Sequence, residues 1–372
     1  MEIIIKKVEL QKGVNKVARA VSNKAVVPVL TGIKLEAKEG KLTMIGSDST
    51  VSIQTTVSET LSINKDGGIV LPAKEFTSIV KSLPEGDVNI EVSNNNKAEI
   101  KAGKSTFNLN GTDVGEYPLI KAEKATNLFT TEAALLVDAI RKTIFAVSKQ
   151  ETRPVLTGIN FSNHNNVLVA VATDSHRLSK NRIDVDVDFE EDFTIPVDAS
   201  KEITTLFKDE ETLSVSKTTN NLSVEGQDTI VMTRLVSGNY PDTTKLIPQG
   251  GDTVLKINRP SFIESLERAK ILAKDDKTVS FEISDKNKGI FDTIKLLQQD
   301  PELGVSEEEI VVNEVDGEEL EVSFNVDYTI EALKGIDGDD VTVAFNGAMK
   351  PFTIVDDNND NGLQLILPVR RY

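Results

Sequence analysis

The sequence predicts an α+β fold built from three tandem copies of one domain, each with two helices on antiparallel sheet. Pro28-Val29-Leu30-Thr31-Gly32-Ile33 returns letter for letter as Pro154-Val155-Leu156-Thr157-Gly158-Ile159, an offset of 126 residues. At that offset Ser47-Asp48-Ser49 becomes Thr173-Asp174-Ser175; further on, Gly115-Glu116-Tyr117-Pro118 is echoed by Gly238-Asn239-Tyr240-Pro241. Matches over so long a span mark duplicated domains, not a short solenoid repeat. A third copy keeps only the order of elements: Leu71-Pro72-Ala73-Lys74-Glu75-Phe76, Ile195-Pro196-Val197-Asp198-Ala199-Ser200 and Phe324-Asn325-Val326-Asp327-Tyr328-Thr329 each read as a strand end entering a short helix. Three copies in 372 residues give about 124 each, an ordinary domain size. The expected boundaries are 1–126, 127–252 and 253–372, with linkers at Ile120–Asn127 and Ile247–Asp252.

Each copy opens on a strand and an amphipathic helix. Leu10, Val14, Val17, Ala18 and Val21 mark the apolar face of the first such helix. Leu135, Leu136, Ala139, Ile140, Ile144 and Val147 mark the second, and Phe262, Ile263, Leu266, Ala269 and Ile271 the third. Alternating strands follow, such as Lys41–Gly46 and Val51–Val57, with turns at Asp66-Gly67-Gly68, Pro84-Glu85-Gly86 and Asn94-Asn95-Asn96. The second helix of each copy is followed by an acidic turn and a strand, at Asp87–Val92, Glu211–Val215 and Asp339–Phe345. Helix, strands, helix, strands is the α+β pattern. The acidic stretch from Glu307 to Glu321, with Asp316-Gly317 inside it, reads as a solvated hairpin.

There is no Cys, which excludes disulfides, zinc-thiolate sites and thiol nucleophiles and suits a reducing compartment. The start, Met1-Glu2-Ile3-Ile4-Ile5-Lys6-Lys7, is charged too soon for a signal peptide, and no apolar run nears the roughly 20 residues of a membrane span. A cytoplasmic protein with no membrane partner is expected.

Net charge is −17, which on its own argues against nucleic acid. The total hides a gradient. Residues 1–126 carry 17 basic and 15 acidic side chains, a net of +2, residues 127–255 carry 12 and 19, a net of −7, and residues 256–372 carry 13 and 25, a net of −12. No acid occurs from Leu10 to Leu35, where Lys12, Lys16 and Arg19 fall on one helical face beside Lys24 and Lys34. Ala139–Gln150 is also free of acid and holds Arg141, Lys142 and Lys149. The third helix carries Arg259, Arg268, Lys270 and Lys274, diluted by Glu264 and Glu267. A solvated helix face explains one such bias, and three equivalent ones suggest a basic lining.

Catalytic signals are weak. His164 lies in a turn, and His176 follows Asp174 and Ser175 directly, whereas a triad converges from separate elements. There is no Gly-x-Ser-x-Gly elbow, no phosphate-cradling Gly-rich loop and no His pair at metal-ligand spacing. No enzyme, cofactor or metal is expected. The segment around His176 reads better as a binding surface, as does the apolar, proline-broken, basic end Leu363–Tyr372, which should be docked rather than frayed.

Taken together, Ala172-Thr173-Asp174-Ser175-His176-Arg177-Leu178, Asn239-Tyr240-Pro241-Asp242, Leu71-Pro72-Ala73 with Leu83-Pro84-Glu85-Gly86, Phe324-Asn325-Val326-Asp327-Tyr328 and Leu367-Pro368-Val369-Arg370 resemble the bacterial replicative sliding clamp family, the β subunit of DNA polymerase III. The resemblance covers the whole chain. Ser175 departs from it, standing where the family commonly has Gly, and residues 275–300 match loosely. The resemblance implies three DNA-clamp domains per chain and a head-to-tail homodimeric ring, with twelve helices lining the hole and sheets outside. It also implies a processivity factor that slides on duplex DNA without reading sequence. The partners implied are the DNA polymerase III alpha subunit, the clamp loader complex, and replication and repair proteins carrying clamp-binding peptides.

Residues follow from the resemblance by position. Lys24, Lys74, Gln150, Arg153 and Lys201 match places that touch DNA, and helix-face spacing adds Lys12, Lys16, Arg19, Arg141 and Lys142. A hydrophobic peptide cleft between the second and third domains matches Leu156, Thr173, Ser175, His176, Arg177, Leu178, Pro241, Leu246, Met349, Leu365, Leu367, Pro368, Val369 and Arg370. Phe107, Leu109, Ile271 and Leu272 match the apolar dimer contact, while Lys101 and Lys104 against Glu302, Glu307 and Glu308 is a charged rim suggested by the +2 and −12 domains meeting. Two other functions compete: an acidic peptide-binding scaffold that never encircles DNA, and a hydrolase using His176.

Overall fold

The computed structural model describes residues 1–22, 27–118, 125–164, 167–185, 189, 192–273, 277–283, 293–300 and 303–370. Lys24, Lys274, Glu302 and most of the first linker lie outside them. Six α-helices are present among the described residues: α1 (Lys7–Ala18), α2 (Ala73–Ser82), α3 (Ala133–Thr143), α4 (Val197–Leu206), α5 (Arg259–Ala269) and α6 (Val326–Lys334). The chain divides into two compact units, one of Met1–Val137 with Asp198–Leu235, the other of Asp138–Val197 with Val236–Tyr372.

The first unit has two antiparallel sheets. Five strands run in the order Leu61–Lys65, Glu2–Lys6, Asp87–Val92, Lys97–Ala102, Ser105–Asn110. The other sheet has eight strands, and its two halves come from different repeats. Thr229–Arg234 pairs with Val51–Val57, setting Met232 opposite Ser52 and Val231 opposite Ile53. On α1, Leu10, Val14 and Val17 are buried as the 3.6-residue period requires. Gly46 lies beneath α1, where a β-carbon would collide with the Val17 carbonyl.

The second unit repeats the device. In its nine-stranded sheet Arg177–Ile183 pairs with Asn359–Ile366, so Leu178 faces Leu365 and Arg177 faces Ile366. A four-stranded sheet runs Gly304–Val311, Thr293–Asp300, Thr278–Ile283, Leu320–Asn325. Its core holds Phe262, Phe281, Phe324, Phe345 and Phe352, all fully buried, with neighbouring ring centroids 4.8 to 6.3 Å apart. The side chains of Asn258 and Asn325 cap α5 and α6, accepting from the Ser261 and Tyr328 N–H groups.

Three local readings differ. The acidic stretch is no hairpin: Gly304–Val311 edges the four-stranded sheet, while Glu314–Gly317 pairs with Thr253–Asn258 at the edge of the nine-stranded one. An Asp-Gly turn suggested that the two acidic segments pair with each other, but Gly304–Val311 bonds to the preceding strand, Thr293–Asp300, and Glu314–Gly317 to the distant Thr253–Asn258. Leu135 is exposed, because α3 buries Ala133, Leu136, Ala139 and Ile140 instead. Ile271 lies beyond the end of α5 and points to solvent.

Candidate functional site

The strand pairing of the second unit builds an apolar floor. Val169, Val171, Leu178 and Leu365 form one buried cluster, with Tyr240, Ile247 and Leu363 packed against it. Burial pushes the Tyr240 hydroxyl well above the ordinary phenol value. Phe352 pairs with Ile366, and Ile366 with Arg177, so the loop carrying Met349, the turn before Arg177 and the residues after Ile366 leave the same end of the sheet. Large apolar side chains there meet solvent: Leu246 is 54% exposed, Met349 56%, and Leu367 and Val369 somewhat over a third. The tail is docked as expected. The Leu367 N–H donates to the His176 carbonyl at 2.9 Å, the Val369 N–H to the Ser323 carbonyl at 2.7 Å, and Pro368 bridges to Phe324.

The turn that opens this floor is locally determined. Asp174 Oδ1 accepts from the His176 and Arg177 N–H groups at 2.9 and 3.0 Å, and Thr173 Oγ1 donates to the Arg177 carbonyl at 2.6 Å. Ser175 has φ +75°, a left-handed conformation that glycine adopts without strain, which accounts for the glycine common at this place in the family it resembles. Ser175 and His176 are exposed, Pro241 and Arg370 likewise, and Thr173 and Leu156 are buried. Arg177 differs from its neighbours in the cleft set, because its side chain is buried and turned inward. Phe145, Tyr328 and Glu331, absent from the sequence-derived set, surround it. Repeat alignment carries the missed signal: Glu331 stands where Glu202 stands in the second copy.

The predicted DNA-facing cations separate into two groups. Lys16 Nζ sits 2.8 Å from Asp228 Oδ1 and 3.0 Å from Thr229 Oγ1, and Arg19 grips Glu202. Arg141 lies 2.8 Å and Lys142 2.7 Å from Asp337, and both also meet Asp138. Those four cations are joined to acids of the following repeat, which the acid-free runs Leu10–Leu35 and Ala139–Gln150 concealed. Lys12 pairs with Glu9 and Lys201 with Asp198 on their own helices, at 2.9 and 3.1 Å. Lys74, Gln150 and Arg153 are exposed.

These pairs predict an acid limb to stability. Burial pushes the Asp228 carboxyl up, but Lys16 and Thr229 outweigh it and hold it below the usual carboxylate value. Burial likewise raises Asp337, and Lys142 and Arg141 more than reverse it. A depressed carboxylate stabilises the fold above its unfolded pKa of about 3.9 and loses that contribution as pH falls through the lower folded value. The melting temperature should therefore drop below about pH 4, and Asp228→Asn with Asp337→Asn should lie lower than wild type at pH 7 and approach it at pH 3. Parallel calorimetric curves at both pH values would show that the pairs contribute nothing.

The predicted dimer residues lie on two strand edges and a helix end. Phe107 and Leu109 are half-buried on Ser105–Asn110, an edge strand whose neighbours Lys101 and Lys104 are exposed. Ile271 is 74% exposed and Leu272 half-buried. Within the chain Lys101 pairs with Glu99, Glu307 with Lys295 at 2.7 Å, and Glu308 with Arg268 at 2.7 Å. Among the described residues no cluster of His, Asp and Glu is arranged to hold a metal, and no helix is long and apolar enough to cross a membrane.

Known proteins match the chain throughout its length. The family descriptions "DNA polymerase III beta subunit" N-terminal, central and C-terminal domain match residues 1–121, 130–242 and 244–370. The beta sliding clamp of Bacillus subtilis (strain 168) is 38% identical over 381 residues, with 100% of both chains covered. The crystal structure of the Bacillus subtilis DNA polymerase sliding clamp superimposes with a TM-score of 0.95 at 37% identity, covering 100% of both chains. A Pseudomonas aeruginosa sliding clamp bound to griselimycin superimposes at 0.93 with 25% identity and full coverage of both. With all three domains matched in order, the chain belongs to the DNA polymerase III beta subunit family, the bacterial sliding clamps.

Proposed function

We propose that this chain is a DNA polymerase processivity factor with no chemistry of its own. Two copies close head to tail around duplex DNA, slide along it, and tether polymerase through the cleft floored by Leu178 and Leu365. The observation that carries the reading is the full-length match of all three domains to sliding clamps, in order. Domains at 1–126, 127–252 and 253–372 fit it. The occupants of the cleft are the DNA polymerase III alpha subunit, the clamp loader complex, and repair proteins carrying clamp-binding peptides, in the cytoplasm. An apolar floor ringed by solvent-facing Leu246, Met349, Leu367 and Val369 suits the anchors of an extended peptide, and the relative solved with griselimycin supports a ligand-binding clamp.

Duplex contact is electrostatic. Lys12, Lys24, Lys74, Gln150, Arg153 and Lys201 contact phosphates directly. Lys16, Arg19, Arg141 and Lys142, tied to carboxylates of the following repeat, contribute a weaker field, while Lys12 and Lys201 pair within their own helices and keep 65% and 60% of their side chains exposed. Weak, sequence-blind attraction suits a ring whose hold is topological.

The test is retention on plasmid after loading with a clamp loader and ATP. The protein should stay on nicked circles and run off linearised DNA. Equal loss from both, or no loading by a competent loader, would leave a peptide-binding scaffold as the better reading.

A further inference from the structure

One turn occurs twice in the chain, and the difference between its copies assigns a role to Arg177. In the first repeat Asp48 Oδ1 accepts from the Thr50 and Val51 N–H groups, Ser47 Oγ bonds to the Val51 carbonyl, and Ser49 has φ +81°. The second repeat has the same bonds from Asp174 and Thr173 and the same left-handed serine. The turn therefore forms with a valine where Arg177 stands. Nor is a guanidinium at that place needed to join successive repeats, because the first junction uses Arg19, at the C-terminal end of α1, to hold Glu202. Local folding does not account for Arg177.

What Arg177 adds is a bridge. Its side chain is 6% exposed. Nε donates to Asp174 at 3.0 Å, Nη1 to Glu331 on α6, and Nη2 to the Phe145 carbonyl. The guanidinium carbon lies 4.3 Å from the centre of the Tyr328 ring, and that ring stacks with His176 at 6.4 Å between centroids. The His176 carbonyl in turn holds the Leu367 N–H. A continuous set of contacts thus runs from Glu331 to the floor residue Leu178 and to the tail that forms the rim. The planar donors of arginine reach three elements at once, which lysine does not do.

We infer that Arg177 is a positioning residue of the cleft: by holding Glu331 it fixes the Asp174–Arg177 turn, and with it Leu178 and the Leu367–Val369 rim, without giving a donor to the bound ligand. This rests on the cleft reading above. Glu331 lies outside the predicted contact set, so Glu331→Gln isolates the effect.

The test is calorimetric titration of the full chain with griselimycin at 25 °C, with melting temperatures measured alongside. Glu331→Gln should weaken binding about tenfold, Arg177→Lys by a similar factor, and the double variant no more than the worse single, since both act on one contact. The Leu367 and Val369 amides of the free Glu331→Gln chain should exchange faster with solvent than in wild type. A lowered melting temperature with wild-type affinity and wild-type exchange would make the bridge merely structural and overturn the inference. Wild-type affinity in Glu331→Gln alongside lost binding in a chain carrying both Leu246→Ser and Met349→Ser, two exposed rim side chains, would keep the cleft and reject the bridge. No binding by the wild-type chain would reject the cleft and the inference together.

Discussion

Ile271→Asp should leave the chain folded and abolish its self-association. Ile271 is 74% exposed just past the end of α5, an unusual place for a large aliphatic side chain. It is not alone: Leu303, Val305 and Val311, at the start of and along the edge strand Gly304–Val311, also face solvent. An edge strand with exposed apolar side chains is a template for another chain, and natural proteins tolerate it chiefly where a partner covers it. The Ser105–Asn110 edge, with Phe107 and Leu109 half-buried, is the second such edge, and it belongs to the other unit. The proposed head-to-tail dimer would cover both. Since Ile271 is largely exposed, the substitution should change the folding stability of the isolated subunit by about ±0.5 kcal/mol at most. In a dimer it would bury an unpaired carboxylate among apolar groups, so the dimer dissociation constant should rise at least ~30-fold, the ~2 kcal/mol of an interface hot spot. Sedimentation velocity at micromolar concentration reads this directly. A dimer that persists in Ile271→Asp would place the subunit interface elsewhere.

Much of this architecture was legible in the residues. The duplicated Pro-Val-Leu-Thr-Gly-Ile segment marks equivalent turns before equivalent strands, and the alternation of Val51–Val57 agrees with the observed strand residue for residue. Long-range partnership was not legible. The pairing of Val51–Val57 with Thr229–Arg234 joins residues more than 170 apart and leaves no local period in either strand. The same distance hid the acids. Asp228, Glu202 and Asp337 sit on other repeats, so the cations of the acid-free runs Leu10–Leu35 and Ala139–Gln150 are partly neutralised in the fold. Arg177 was placed in the cleft by resemblance, and its burial depends on two carboxylates and a carbonyl that converge only in three dimensions. Ile271 was assigned to the apolar face of the third helix, and its exposed position beyond α5 removes it from that face.

Replacing Leu246 and Met349 together by serine should disarm the cleft without disturbing the fold. Both side chains are more than half exposed, so little core is lost, and the buried floor of Val169, Val171, Leu178 and Leu365 stays intact. A Leu178→Ala variant would be ambiguous, because deleting a buried leucine costs about 2–5 kcal/mol of stability through the cavity it leaves. The double serine variant instead removes apolar surface available only to a ligand. Fully burying an aliphatic side chain is worth about 1.5–3 kcal/mol, and partial coverage of two should give about 2 kcal/mol in all, a loss of roughly 30-fold in affinity. Loading onto nicked circular plasmid tests the loader's use of the same cleft, and primer extension on preloaded clamps tests the polymerase's. If both partners depend on the cleft, loading and processive synthesis should fail together while the variant still dimerises. Processive synthesis persisting on preloaded rings would mean that the polymerase grips another surface, and the cleft would then belong to the loader alone.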